Sequence, residues 1–124
     1  IHPPFGDADM NDHPAIERYA KSAIGDLAQA LPATMKAFSG LAAATFQDGA
    51  LDVRTKELIA LGIAIASGCD GCMAWHNAAL HRLGVTPEEV AEAAGVAIEM
   101  GGGIALYSAA KAVEGYSQFL KAQE

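Results

Sequence analysis

Cys69 and Cys72 are the two cysteines of the chain and form a CxxC pair. That spacing lets their sulfurs close a disulfide. A sulfenic acid formed on one can condense with the thiol of the other, which protects it from over-oxidation. A framework of structural disulfides needs more cysteines at wider separations, so one tight pair reads as redox or metal chemistry in a reducing compartment. Ser67-Gly68-Cys69-Asp70-Gly71 reads as a turn, and the helix that follows places Cys72 in its first turn. Unpaired N–H groups and the positive end of the helix dipole favour an anion there. A thiol so placed can have its pKa lowered to between ~3.5 and ~7.5, and the thiolate is the nucleophile.

His76 follows Cys72 by four residues. At that spacing two side chains share a helix face with Cβ atoms ~5–6 Å apart, so the imidazole can exchange a proton with sulfur directly or through one water. Glu57 lies twelve residues before Cys69, on the preceding helix. If the two helices fold back on each other, Glu57 stands about 15 Å from the end of its own, at ~1.5 Å per residue. His76 then lies part-way down the facing helix. A carboxylate pointing inward needs a partner, and His76 is the natural one. The result is an acid–imidazole–thiol relay.

Plainer readings exist for each residue. Free cysteines are often passive buried hydrophobes. His76 without Cys72 is an ordinary core or surface histidine, and Glu57 alone is a solvated acid near a helix N-terminus. Zinc is a further alternative, with His76 as third ligand. A structural zinc site wants four protein ligands. His81 is about 140° round the helix from His76 and fits poorly; Glu57 fits better. His2 and His13 lie in or near an N-terminal arm and carry no signal. Trp75 and Met73 read as packing residues, and nothing in the sequence places Tyr107 or Tyr116.

These residues must be positioned by helices. Residues 1–12 are rich in Pro, Gly and Asp and read as an arm; residues 13–124 read as one helical domain. Pro14 opens a first helix with Ile16, Tyr19, Ala20, Ala23, Ile24 and Leu27 along its stripe. Pro32 opens a second, striped by Met35, Phe38, Leu41, Ala42 and Thr45. Asp52 caps a third over about residues 53–67. Its apolar run, Leu58 to Ala66, predicts a central helix covered on every side. The CxxC helix is the fourth, ending at Gly84. Thr86-Pro87-Glu88-Glu89 is a capping-box start for a fifth, carrying Val90, Ala94, Ala97 and Ile98 inward. Gly101-Gly102-Gly103 ends it; lacking a following Lys-Ser/Thr and a preceding strand, these glycines read as a helix break and not a phosphate loop. A last helix runs from Ile104 to about Lys121 with Leu106, Ala110, Val113 and Phe119 inward. No segment alternates as a strand does. The expected fold is all-α, with about six helices.

Composition narrows the classes further. The chain has 124 residues, 52% of them hydrophobic and 19% charged, which fits a single well-buried core. Net charge is −7 with no basic run, so a nucleic-acid or anionic-membrane partner is not expected. Leu58 to Ala66 is too short to span a bilayer, and no leader is visible, so the expected location is cytoplasmic. No cofactor or bound metal is expected. Several helices are apolar over more than one stripe, which predicts a homo-oligomer.

Lys56-Glu57-Leu58-Ile59-Ala60-Leu61 followed by Cys69-x-x-Cys72-x-x-x-His76 resembles the carboxymuconolactone decarboxylase-like superfamily, and most nearly its alkylhydroperoxidase D-like branch. The pattern E-x11-C-x2-C-x3-H is matched at four positions, and the likeness spans about residues 37–116. The resemblance implies an all-α fold assembling as a trimer or hexamer. It also implies hydroperoxide reduction: Cys72 attacks the peroxide, Cys69 resolves the sulfenate, Glu57 and His76 move protons, and a thiol or dithiol partner reduces the disulfide. Gly71 stands where characterised peroxidases can carry a relay histidine, and the chain looks like one core unit where they resemble a duplicated one. Two other functions remain open: an acid–base enzyme of the carboxymuconolactone decarboxylase type, and a non-enzymatic oligomeric module whose CxxC binds metal or reports redox state.

Overall fold

Helix α1 (His13–Ala30) starts where Asp12 turns its carboxylate onto the Ala15 N–H, with Pro14 in the first turn. These elements come from a computed structural model, which describes residues 11–122. Most of the expected arm, His2 included, lies outside the described residues. Four more helices follow: α2 (Pro32–Thr45), α3 (Val53–Ser67), α4 (Asp70–Arg82) and α5 (Pro87–Ala122). Among the described residues there is no strand.

Asp52 caps α3 by accepting from the Thr55 N–H at 2.7 Å. The Thr86–Glu89 capping box forms in both directions at the start of α5, the Thr86 N–H donating to Glu89 and the Glu89 N–H to the Thr86 hydroxyl. Arg54 of α3 pairs with the same Glu89, tying the two helix starts together.

The fifth and sixth expected helices are both present and run together as α5 across a kink inside the glycine run. Gly102 alone leaves helical geometry, at φ 70°, ψ −150°. Only glycine enters that region readily, so the break falls inside the Gly101–Gly103 run and the helix resumes at once. By length and hydropathy α5 also resembles a membrane span, a feature the apolar run in α3 does not anticipate. One face of it packs into the core. Val90, Ala94, Ala97, Ala105, Ala109, Ala112, Tyr116 and Phe119 are buried along it.

The core joins those residues to Leu61, Ala64 and Ile65 of α3 and to Met73 and Leu80 of α4. Small side chains on α5 let α3 and α4 approach closely. Tyr116 is buried at the edge of this core, its hydroxyl donating to the Val85 carbonyl.

Three sequence expectations about burial are corrected. In the C-terminal half of α5, Leu106, Ala110 and Val113 do not point inward; Ala105, Ser108, Ala109 and Ala112 do. Both faces of this segment are apolar, so spacing alone cannot say which one packs, and the small-residue face is the one that joins the core. Helix α3 is not covered on every side, since Ile59 and Ile63 are exposed. Helix α2 buries no residue at all, and on α1 only His13 and Ile16 are buried. Within one chain these apolar stripes meet too few neighbours to be covered.

Candidate active site

The link between α3 and α4 is two residues long. Gly68 closes α3 in the left-handed region, φ 68°, and its N–H returns to the Ala64 and Ile65 carbonyls. Cys69 is extended and is itself the N-cap of α4. So short a link folds α4 back along α3 and fixes which faces of the two helices meet.

Cys69 and Cys72 are joined as a disulfide, with Cα atoms 5.2 Å apart. As N-cap, Cys69 offers its sulfur to the Cys72 N–H at 3.1 Å. A helix start thus aims a backbone donor at the Cys69 sulfur, where a thiolate would be stabilised on reduction. Cys72 is exposed and Cys69 half-buried, so Cys72 is the more accessible sulfur.

Glu57 comes from the second turn of α3 and is buried. Its Oε1 lies 2.6 Å from His76 Nδ1, and the pair bridges α3 and α4 on the face that carries Cys72. The contact leaves His76 Nε2 as the ring nitrogen for proton exchange. Phe46, just past the end of α2, lies against the other side of the imidazole, ring centroids 5.8 Å apart. Lys56 holds that end of α2 by donating to the Thr45 and Gln47 carbonyls. The Lys56-Glu57 dipeptide therefore serves both sides of the site: one residue anchors α2, the next meets His76.

Nothing in the sequence singles out His13. It is fully buried between α1, α4 and α5, and its Nδ1 accepts from Asn77, which also donates to the Ala112 carbonyl. Burial lowers its pKa to about 4, despite the nearby Asp70 carboxylate, so at neutral pH the ring is uncharged. Gly115 provides the space: a Cβ there would lie 1.9 Å from His13 Nδ1. Asn77 adjoins His76 in sequence but points to the opposite side of α4, so the helix carries one histidine contact on each flank. The only sequence clue to His13 is its place at a helix start, which says nothing of depth.

Asp70, inside the CxxC segment, pairs with Lys111 of α5 at 2.5 Å. Lys111 also lies over the exposed Tyr107 ring, 5.4 Å from its centroid. Met73 is buried and Trp75 partly exposed. His81 stacks on Phe119 and meets Tyr116 edge-on, away from the cysteines. Among the described residues no three His, Cys, Asp or Glu side chains converge as a metal-ligand set.

Residues 32–115 match the model of the carboxymuconolactone decarboxylase family. The chain belongs to that family. An uncharacterised protein of Cupriavidus necator is 45% identical over 89 residues, 72% of this chain and 79% of its own length. An uncharacterised protein of the cox locus of Paracoccus denitrificans is 40% identical over 94 residues, 76% of this chain and 85% of its own. Among solved structures, an apo carboxymuconolactone decarboxylase family protein from Legionella pneumophila superposes with a TM-score of 0.83 at 40% identity, covering 90% of this chain and 97% of that one. A Thermotoga maritima protein gives 0.75 at 28%, covering 84% and 92%. The match covers α2 through most of α5, and so includes Glu57, Cys69, Cys72 and His76.

Proposed function

We propose that this carboxymuconolactone decarboxylase family member is a thiol-dependent peroxidase of the alkylhydroperoxidase D-like kind, acting in a reducing, cytoplasmic compartment. The observation that carries the reading is the Glu57–His76 contact on the helix face that leads to the Cys69–Cys72 disulfide. In the reduced protein the Cys72 thiolate attacks the distal oxygen of a hydroperoxide. The O–O bond breaks, Cys72 becomes a sulfenic acid, and the alkoxide leaves as alcohol with a proton delivered through His76. The Cys69 thiol then displaces water from the sulfenic acid and closes the disulfide. A thiol or dithiol partner supplies two electrons and two protons to reopen it. Gly71 adds no side chain to this relay.

The test is a free-thiol count on reduced, chelator-treated protein before and after one equivalent of an organic hydroperoxide. Two thiols lost per chain and restored by a dithiol support the scheme; two unreacted thiols overturn it. Cys72→Ser should abolish turnover. Cys69→Ser should leave a sulfenate that proceeds to sulfinic acid, read by mass spectrometry.

A second reading has its own observation in its favour. Glu57 and His76 contact each other independently of sulfur, as acid–base chemistry on a small carboxylate substrate of the carboxymuconolactone type would require. It predicts that a Cys69→Ser, Cys72→Ser variant keeps full activity on such a substrate.

The acting unit is proposed to be a homotrimer or homohexamer. Helix α2 buries nothing in the single chain, and Phe38 and Leu41 on it are each 63% exposed. An apolar groove of about 380 Å³ runs between α3 and α5, with Ile59, Ile63, Val96 and Met100 along it. Exposed apolar surface on this scale marks an association face.

A further inference from the structure

A second set of contacts lies behind the sulfur pair, on the α5 side. Successive turns of α5 present Ser108 beneath Gly68, Lys111 against Asp70, the Ala112 carbonyl to Asn77 and Gly115 to His13. The CxxC turn rests on this strip. Asp70 is the one acid within the CxxC motif and stands in the first turn of α4. Its side chain is 46% exposed, but the Oδ1 that meets the Lys111 ammonium is closed off from solvent.

We propose that Lys111 is a positioning residue for the redox pair: it neutralises Asp70, so that the carboxylate between the cysteines does not oppose formation of the thiolate beside it. The inference rests on the redox reading of Cys69 and Cys72. An ion pair this near the surface adds little to stability. Its effect on a neighbouring anion is different in kind. A carboxylate one residue from Cys69 and two from Cys72 repels a thiolate, and a cation in contact with that carboxylate cancels most of the repulsion. The other charged or titratable groups at hand are the Glu57–His76 pair on the opposite flank and His13, which is uncharged at neutral pH.

Reduction by a dithiol makes the consequence measurable. A reagent thiolate attacks the exposed Cys72 sulfur, and the S–S electron pair leaves on Cys69. The second reagent thiol displaces Cys72, and the reagent departs as its own disulfide. Both protein sulfurs leave as thiolates, so the charge beside them sets how readily they leave and how well they attack.

The test compares wild type, Lys111→Met, Asp70→Asn and the double variant. One readout is the rate of iodoacetamide alkylation of reduced protein at pH 7. The other is the equilibrium constant of the disulfide against dithiothreitol at pH 8. Lys111→Met is expected to slow alkylation roughly threefold and to favour the disulfide by about three- to tenfold; tenfold corresponds to about 30 mV. Asp70→Asn, which is nearly isosteric, is expected to move both readouts the other way, and the double variant to return within about twofold of wild type. A purely structural ion pair predicts that both single variants change both readouts in the same direction or leave them within twofold; either result overturns the proposal. If the wild-type disulfide titrates reversibly and the variants do not separate, only the role of Lys111 fails. If wild-type thiols do not re-form the disulfide at all, the redox reading fails with it.

Discussion

Glu57 of α3 and His76 of α4 meet at 2.6 Å across the two-residue connection between their helices, and the carboxylate is buried at the point of contact. A buried carboxylate so held fixes both the orientation of the ring and the nitrogen that remains for proton transfer.

Glu57→Gln keeps a hydrogen-bonding side chain of the same size but cannot stabilise an imidazolium. Peroxide turnover is expected to fall by on the order of 10²-fold, the lower end of what positioned acid–base groups contribute. Thermal unfolding measured in parallel should show a folded protein with a cooperative transition. Retention of full turnover on hydroperoxide would remove Glu57 from the relay.

Gly115→Ala drives a methyl group into the His13 ring, with contacts of 1.9–2.4 Å to three ring atoms. The ring must move out of a fully buried site. A loss of about 2 kcal/mol or more is expected from denaturant unfolding, as for overpacked cores. The same substitution in a His13→Ala background should cost clearly less, because the colliding ring is gone.

The low pKa of His13 has a signed consequence for stability. Its folded value, about 4, lies below the ordinary value of 6.5. Between those pH values the unfolded chain binds a proton that the folded chain does not. Stability should therefore fall as pH drops from about 6.5 to about 4, by on the order of 3 kcal/mol for this one group, and level off below. His13→Gln should flatten that segment of the stability–pH curve. Asp52 and Glu89, whose pKa values are lowered by hydrogen bonds from Thr55 and Thr86, contribute stability above the ordinary carboxylate range that is lost at lower pH.

Phe38→Asp together with Leu41→Asp places two charges on a helix face that one chain leaves bare. Light scattering on the purified protein should report a lower mass for this variant than for wild type, with helical circular dichroism preserved. Wild type eluting as a monomer at all concentrations would show that α2 does not join copies.

The sequence by itself determined the helices and their caps. Asp52, Pro32 and the Thr86–Glu89 box act within one turn of the chain, so their effect is readable without knowing what packs nearby. It also placed the CxxC pair at a helix start and Cys72 and His76 on one face, since both depend on spacing alone. Only the tertiary structure decided depth and partnership. The inward face of the segment after Gly102 could not be read, because both its faces are apolar and only packing selects the one lined by small residues. His13, at the edge of the arm, carried no signal, yet it is buried, because Gly115, about a hundred residues later, has no side chain. Lys111 faces Asp70 for the same reason: helix packing brings together groups that local spacing leaves unrelated.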